Sequence, residues 1–538
     1  MARITPVKLN RNRKLSQVVE KPPTTAERLA RLREQLEAVE RLAEGQASEE
    51  QLPAFMMFET TLKEQLDAVG RATTELFLTL AEERVAAASR QGIELSGRFF
   101  RPTPTPQARN LAGRFGVVRY FRTYVRENRA ARRQGFHPLD VTLGLSTDRF
   151  SWNVLSLSAR LATKTSFADA QALVGLFLPN APSTEVIEQT VLGLGKFTSK
   201  WFEQLGPPPG DGEVLVVMID SKGAPTATQL ELRRRRGRRN KRPRAPSPRH
   251  RGRHRRSLYG KKPRRKKGDK LKNAKMATLV VMYTLKRSGP LLLGPINRSI
   301  YASFAPKEHA FQVARREANK RGFGPESGRL IQIVTDGDLD LDCYVKRYFT
   351  EAIHTIDVMH VVEKLWTAGE CLHAEGSSEL KRWMRRQKKR LYAGAAAQIV
   401  AELRRHLENT PQTGPGNKGK RERLSEVIRY IDRRVDRMNY NQLLAQDLEI
   451  GSGAVEGAVK NVIGKRCDHG GMRWIKERVE ALLQLRCIEI NGHWDAFIAM
   501  VHDQFRAEAA ATGRRLRLQT QSPAALPAVN QYELQNAA

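Results

Sequence analysis

The sequence predicts a mixed α/β protein in which a sheet-forming segment leads into a long all-helical one. Between residues 213 and 360, apolar runs (EVLVVMID, MATLVVMYTL, INRSIYASF, RLIQIVTD, AIHTIDVMH) alternate with helix-forming stretches at about 307–321 and 341–350. That alternation is the rhythm of an α/β sheet. Residues 360–445 are then almost wholly helical in composition, broken only by NTPQTGPGNKGK.

Residues 25–45 and 49–90 are rich in Ala, Leu, Glu and Arg and predict two helices. In the second, Phe55, Phe58, Leu62, Leu66 and Val69 recur at three- and four-residue spacing and make one apolar stripe. Prolines in RFFRPTPTP end helical continuity, and GRFGVVRYFRTYV (residues 113–125) predicts a strand pair. SFADAQALVGLFL and STEVIEQTVLGLGKFTSKWF flank the turn PNAPS, with Ser183 as the helix N-cap. This pair reads either as a helix-turn-helix or as two packed helices. EVLVVMID is nearly uninterrupted in apolar character, which suits a strand covered on both faces. A last helix pair is expected over about 453–492, and a loose Ala-, Gln- and Pro-rich tail from about 507. No internal repeat is present.

The 538 residues carry a formal charge of +36, with a pI near 10.4. An excess of this size points to a polyanionic partner, nucleic acid first. A membrane surface would call for a basic amphipathic helix, and the densest charge lies elsewhere. Residues 233–272 hold 22 Lys or Arg and one acid, Asp269, and so carry +21 of the total. Such a block cannot bury enough apolar surface to order itself. It reads as a solvated loop, a localisation signal or, the favoured reading, a phosphate-gripping arm that gains affinity by counterion release. The four cysteines, Cys343, Cys371, Cys467 and Cys487, form no CxxC pair, which argues against a zinc knuckle or redox motif and for a reducing compartment. The N-terminus lacks a signal-peptide apolar core, and no apolar stretch is long enough to span a bilayer. A soluble intracellular protein is expected.

IQIVTDGDLDLDCYVKRYF places Asp336, Asp338, Asp340 and Asp342 at alternating positions after an apolar run. A calcium loop beginning at Asp336 would need glycine at its sixth position and glutamate at its twelfth; Leu341 and Arg347 stand there. Asp338, Asp340 and Asp342 precede or begin a helix, where acids suit the unpaired amides. Asp336 ends a buried strand, the edge where ligand groups converge in open α/β sheets, although an aspartate before Gly337 also suits a plain turn. Asp220 ends the first strand in the same manner, and two carboxylates from one sheet can meet over a divalent cation. A third candidate is Glu456, in the first turn of a helix with Val455, Ala458, Val459, Val462 and Ile463 on its apolar face. Its bland reading is a helix-start acid paired with Lys460. Three hard oxygen donors suit magnesium or manganese, and two such ions about 4 Å apart activate an attacking water and stabilise a leaving oxygen in phosphodiester chemistry.

These pieces resemble, in order and spacing, the DDE transposases of bacterial insertion sequences, the ISKra family and its Mutator-like relatives in particular. The resemblance covers about residues 55–497. It is carried by FETTLKEQLDAVGRATTELFLTLAEE, GFHPLDVTLGLS, VVMIDSKGAP, VTDGD, HTIDVMHVVEKLW, GSGAVEGAVKNVIGKR, GGMRW and ALLQLRCIEINGHWDAF. It implies an RNase H-like mixed sheet with an all-α insertion domain, preceded by helical and small β-containing DNA-binding regions. The implied divisions are 1–95 helical, 96–150 β-rich, 151–210 helical, 211–360 and 446–500 the two parts of the catalytic core, 361–445 the insertion and 501–538 the loose tail. Asp220, Asp336 and Glu456 would match the family's metal-binding catalytic acids, holding two Mg2+ or Mn2+ ions. Asp357 and His360 look like its supporting DxxH pair, though His360 taken alone reads as a structural histidine. In GGMRWIKER, Arg473 and Trp474 either contact DNA or form a turn with a core tryptophan.

Further residues expected against DNA are Lys222, Arg233, Arg234, Arg235, Arg236, Lys261, Lys262, Arg264, Arg265, Lys460, Lys465 and Arg466. The implied activity is cleavage of transposon-end DNA and strand transfer into target DNA, by a cytoplasmic, nucleoid-associated protein that forms a homo-oligomer on double-stranded DNA. A non-catalytic DNA-binding descendant and an RNase H-like junction nuclease are the alternatives. Two departures stand out: YFRTYVRENRAARRQ lacks the cysteines of the family's zinc-ribbon-like element, and LDLDCYV lacks the tryptophan often found after the second acid.

Overall fold

The computed structural model describes residues 21–48, 52–127, 134–233, 274–468 and 472–530. Of the expected basic arm, Arg234, Arg235, Arg236, Lys261, Lys262, Arg264 and Arg265 lie outside these ranges. The chain divides into two units: Met1–Leu155 with Leu173–Pro182 and His502–Arg517, and Ser156–Ala172 with Ser183–Val501 and Leu518–Ala538.

The first unit begins with two helices, α1 (Thr25–Ala47) and α2 (Phe55–Ala88). Thr24 and Glu27 form a capping box that starts α1, and Arg28 of α1 is ion-paired with buried Glu75 of α2. Strands β1 (Ile93–Leu95), β2 (Arg98–Pro102), β3 (Gln107–Gly113), β4 (Gly116–Arg122), β5 (Val125–Glu127) and β6 (Gly135–Phe136) follow, then the short helix α3 (Pro138–Thr142). They form a sheet of order β1-β2-β5-β6 and a separate β3-β4 hairpin. The strand pair expected within 113–125 is therefore this hairpin, with its first strand displaced earlier. QARN carries no apolar run; Arg109 is fixed there by reaching Asp140 at 3.3 Å and the carbonyl oxygens of Ser146 and Asp148 at 2.6 and 2.8 Å. Asp140 is fully buried and also receives Tyr120 Oη at 2.8 Å, Arg515 at 2.6 Å and an ion pair from Arg122. With no cysteine there, this charged knot holds the β-containing element together.

Helices α4 (Trp152–Lys164) and α5 (Phe167–Phe177) have residues in both units. The second unit continues with α6 (Thr184–Leu194), N-capped by Ser183, and α7 (Thr198–Gln204). Its five-stranded sheet comprises β7 (Val214–Pro225), β8 (Ala274–Ser288), β9 (Leu291–Ser303), β10 (Leu330–Thr335) and β11 (Ile353–Ile356), in the order β11-β10-β7-β8-β9. The first three form an antiparallel meander, while β10 and β11 run parallel to β7. Helix α8 (Lys307–Lys320) connects β9 to β10, and α9 (Leu339–Tyr348) connects β10 to β11. Both β8 and β9 extend beyond their expected apolar runs. The extra residues at their hairpin end, such as Lys286, Leu291 and Leu293, are exposed and give no core signal.

Alternate residues of β7 serve two cores. Val214, Val216 and Met218 face one apolar cluster and Leu215, Val217 and Ile219 the other, so the whole run is buried. Ala310, Phe311, Leu341 and Val345, from α8 and α9, complete the second cluster. The first cluster takes in α10 (Val358–Leu372), α11 (Ser378–Tyr392), α12 (Ala396–Glu408), α13 (Asn417–Asp432) and α14 (Tyr440–Ala445). It also includes α15 (Gly453–Val459), which runs on through a π turn at Lys460–Gly464 into Lys465–Cys467. Helices α16 (Lys476–Ile490) and α17 (Trp494–Thr512) follow.

Of the tail expected to be loose, the described residues up to 530 make defined contacts, and 531–538 lie outside the described ranges. Residues up to Thr512 belong to α17, Leu518 is buried with its carbonyl against Gly193, and Asn530 exchanges hydrogen bonds with Gln312 at 2.8 and 2.9 Å. The tail's low complexity hides these backbone-mediated contacts from a reading of composition.

Glu480 on α16 is buried and accepts hydrogen bonds from Ser303 Oγ and the Phe304 amide, both at 2.6 Å, and from Gln484 at 2.7 Å. Burial pushes its carboxyl up to about 7 despite these donors. Because the folded value lies above the unfolded one, about 4.3 in free peptides, the stabilisation is whole in acid and lost as pH rises through about 7. Between pH ~5 and ~8, wild type is expected to lose up to about 3 kcal/mol relative to Glu480→Gln, as read by urea unfolding of both proteins. Parallel pH profiles would contradict this assignment.

Candidate active site

Strand register assembles the acids. Thr335 of β10 is paired with Ile219 of β7 on one side and with Ile356 of β11 on the other. The next residues in the three parallel strands' direction are Asp336, Asp220 and Asp357. Three aspartates thus lie in one row where the parallel pairing stops, but Asp220 does not end its strand as expected, because β7 runs on beside β8 to Pro225. Asp220 follows the alternation of Val214, Val216 and Met218, which directs it to the face covered by α10 and α15.

Each aspartate is held by local backbone geometry. Asp220 Oδ1 accepts the Ser221 amide at 2.6 Å, and Asp336 Oδ1 accepts the Asp338 amide at 2.8 Å. Beyond Asp336 the chain turns at Gly337, whose φ of +80° favours glycine. Helix α13 and the residues just after it anchor that turn: Tyr430 Oη donates to the Asp336 carbonyl at 2.6 Å and Arg434 Nε to the Gly337 carbonyl at 2.9 Å. Asp338 caps α9, as its position predicts, while Asp342 is buried and paired with Arg437 at 2.8 Å.

Asp357 caps α10 and is fully buried. His360 Nδ1 donates to its Oδ2 at 2.6 Å, and Ser452 Oγ donates to the same oxygen at 2.6 Å. Ser452 Oγ also lies 3.4 Å from Glu456 Oε1, linking the β11 edge to the start of α15. Nothing in the sequence points to Ser452, Tyr430 or Arg434; they act through geometry that only the fold creates.

The carboxyls of this edge act on one another. The Asp220 carboxyl is pushed up by burial first, then by the charges of Asp336 and Glu456, with the Ser221 amide opposing. Burial also raises the Asp357 carboxyl, but hydrogen bonds from His360, Ser452 and the Met359 amide outweigh it and leave its pKa lowered. The same Asp357 hydrogen bond pushes the His360 imidazole up to about 9, with Asp357, Asp336 and Glu363 adding to it. His360 is therefore an imidazolium at neutral pH and serves as countercharge to the acids.

The set expected from the sequence is Asp220, Asp336 and Glu456. Among the described residues, the potential ligand atoms that lie within 4.8 Å of one another belong to Asp357, His360 and Glu456. Glu456 is exposed on the rim. Asp336 and Glu456 are both close enough to Asp220 for their charges to act on its carboxyl.

The basic residues separate by burial. Lys460, Lys465 and Arg473 are exposed, and Lys222 lies beside Asp468 at 4.0 Å, its amine against side-chain-free Gly464 of the π turn. Arg233, Arg473, Trp474 and Arg478 border a cleft of about 690 Å3. Arg466 is the correction. It is buried, its Nε donates to the Ala162 carbonyl at 2.8 Å, and its guanidinium lies 5.4 Å from the Phe167 ring centroid and 4.9 Å from that of Trp474. No edge of it is left for a phosphate. Half-buried Trp474 donates its indole N–H to the Cys467 carbonyl at 3.1 Å, so its ring is committed to packing.

The fold and site together define a mixed α/β unit with an acidic cluster at the carboxyl edge of its parallel strands. No family model matches the sequence, and no curated protein matches it. Among solved structures it is similar to the Drosophila P element transposase strand transfer complex, at 11% identity over 74% of this chain and 87% of that chain, with a TM-score of 0.20. A likeness that loose carries no argument about this chain. Among the described residues, no helix is long and apolar enough to cross a membrane.

Proposed function

We propose that this chain is a DDE transposase of the ISKra type, with an RNase H-like catalytic unit that cleaves and joins DNA by phosphoryl transfer. One observation carries the reading: Asp220 and Asp336 stand side by side where the registered parallel pairing of β7 and β10 stops, and Glu456 shares their electrostatic environment from α15. The sheet order, an antiparallel meander followed by two strands parallel to its first, supports the RNase H-like assignment. The helices from α11 to α14, between the second acid and the third, support reading this segment as the insertion.

The carboxylates fit hard divalent cations, since burial and mutual repulsion disfavour ionised Asp220 until positive charge is supplied. Asp220, Asp336 and Glu456 would hold Mg2+ or Mn2+, and an ion bound there would supply Lewis-acid activation of an attacking hydroxyl and charge stabilisation at a phosphodiester. Asp357 is a positioning residue: it starts α10, orients His360 and fixes Ser452 beside Glu456. Lys222, Arg233, Lys460, Lys465 and Arg473 supply phosphate contacts around the edge.

The testing experiment incubates full-length protein and Mg2+ with duplexes carrying the inverted repeats that flank the gene. Strand nicks at the repeat ends and joined products are expected; a metal-replete protein that binds this DNA and leaves it intact would overturn the reading. A junction nuclease would yield nicks in branched DNA without joined products.

The basic segment is expected to supply sequence-independent affinity. Removing residues 234–272 should make log Kd markedly less dependent on log salt, by roughly one unit of slope for each phosphate no longer gripped. Fluorescence anisotropy across a salt series measures this, and an unaltered slope would rule out the phosphate-gripping role.

A further inference from the structure

One polar side chain interrupts the apolar run of β10. Gln332, between Ile331 and Ile333, is fully buried and lies on the same side of the sheet as Val334 and, by alternation, Asp336. An amide buried there costs free energy unless its polar atoms find partners. They do: Oε1 accepts the Glu449 N–H at 2.9 Å, and Nε2 donates to the Glu449 carbonyl at 2.6 Å and to Thr355 Oγ1 at 3.0 Å. The side chain thus pairs with the Glu449 backbone much as one residue of an antiparallel ladder exchanges both bonds with its opposite.

Glu449 belongs to residues 446–452, the connection from α14 to α15, which forms neither helix nor strand. This connection brings the chain back from the helices that separate the second acid from the third, and Ser452 and Glu456 follow it. Tyr283 Oη of β8 donates to the Glu449 carboxylate at 2.9 Å, and the Ile450 carbonyl accepts the Val358 N–H at 2.9 Å. Val455 and Ala458 bury α15 against the core, but apolar packing has no direction of its own. The hydrogen bonds at Glu449, Ile450 and Ser452 therefore fix where α15 starts, and with it where Glu456 stands relative to Asp220 and Asp336.

We propose that Gln332 is a positioning residue for Glu456. By gripping the Glu449 backbone it registers the returning segment against β10, the strand that leads into Asp336, and so sets the spacing between the second acid and the third. This role rests on the cation site proposed for the three acids. Groups that stand behind a ligand and orient it commonly change metal affinity by about 10- to 100-fold.

The test is Mn2+ binding to the full-length protein without DNA, read from the loss of the free-ion electron paramagnetic resonance signal. Gln332→Met keeps the volume and removes both hydrogen bonds to Glu449, and it should weaken Mn2+ binding by about tenfold or more. Tyr283→Phe, a milder change that keeps the ring, should shift affinity in the same direction by a few-fold. Ile331→Val, next door but facing the other apolar cluster, should lower stability and leave Mn2+ affinity unaltered. In a Glu456→Gln background, Gln332→Met should add no further loss, because the ligand it positions is gone. Folded Gln332→Met that binds Mn2+ within about twofold of wild type overturns the proposal, as does a loss that persists undiminished in the Glu456→Gln background. If Gln332→Met fails to fold, an unaltered Mn2+ affinity in Tyr283→Phe overturns it. Wild type that binds no Mn2+ also overturns it, whatever the cleavage assay shows. Wild type that binds Mn2+ with the expected shifts but leaves repeat-end DNA intact sinks the transposase reading and keeps the positioning role.

Discussion

Asp336→Asn and Asp220→Asn are each expected to lower Mg2+-dependent strand cleavage by about 1,000-fold or more, which corresponds to roughly 4 kcal/mol of transition-state stabilisation. The substitution keeps the side chain's shape and removes a charged oxygen ligand, so the loss falls on metal binding and on the charge that develops at the scissile phosphate. Folding should survive. The amide oxygen introduced at position 336 can still accept the Asp338 N–H, and the one introduced at position 220 that of Ser221. A neutral side chain at position 220 also removes the burial penalty that raises the native carboxyl. Thermal stability of Asp220→Asn should therefore equal or exceed wild type while cleavage disappears, a split that a structural aspartate would not produce. Glu456→Gln should behave similarly, since Glu456 is exposed.

Asp357→Asn should differ in kind. It disturbs the ion pair with His360 and the hydrogen bond from Ser452, so stability and activity should fall together. Cleavage by Asp336→Asn within tenfold of wild type, measured on end-containing duplex at saturating Mg2+, would remove Asp336 from the chemistry.

Arg466→Ala is expected to destabilise the second unit by about 3–5 kcal/mol, one of the largest effects of any single substitution here. It leaves a cavity between Phe167 and Trp474 and an unpaired Ala162 carbonyl. Burial lowers the guanidinium's pKa to about 10, so the native arrangement already holds its charge at a cost. Arg466→Met fills most of the space without that charge, and its loss should be about 1 kcal/mol or less. Urea unfolding of the three proteins measures the ranking. DNA affinity of folded Arg466→Met should match wild type, whereas a direct phosphate contact would disappear in both variants. Equal destabilisation by Ala and Met would show that the guanidinium's hydrogen bond, not its volume, is what the interior requires.

The contrast between Asp220 and Arg466 marks what a sequence can convey. EVLVVMID announces a doubly covered strand because every residue from Val214 to Ile219 is apolar, and an acid at its end is conspicuous. LIQIVT, before Asp336, is apolar but for Gln332 and Thr335, so both aspartates are legible as acids that close apolar runs, although β7 runs on past Asp220 to Pro225. Lys460, Lys465 and Arg466 look alike in a basic helical run, yet the π turn and the packing of α15 leave the two lysines exposed and turn the arginine inward. Helical phase shifts by a fraction of a turn at such a bulge, and no local composition encodes that shift. The hairpin strand Gln107–Gly113 is displaced for a related reason: its stability comes from Arg109 reaching a carboxylate 31 positions away.

The sequence by itself therefore determined the order of strands and helices, the surplus of positive charge and the acids that close the apolar runs, because periodicity, composition and spacing are local properties. Tertiary structure alone decided that Ile219, Thr335 and Ile356 share one register, which sets Asp220, Asp336 and Asp357 in a row, and that Ser452 ties this edge to Glu456. Register and long-range hydrogen bonds arise when distant segments bury their apolar faces together, and that closure is a property of the assembled core.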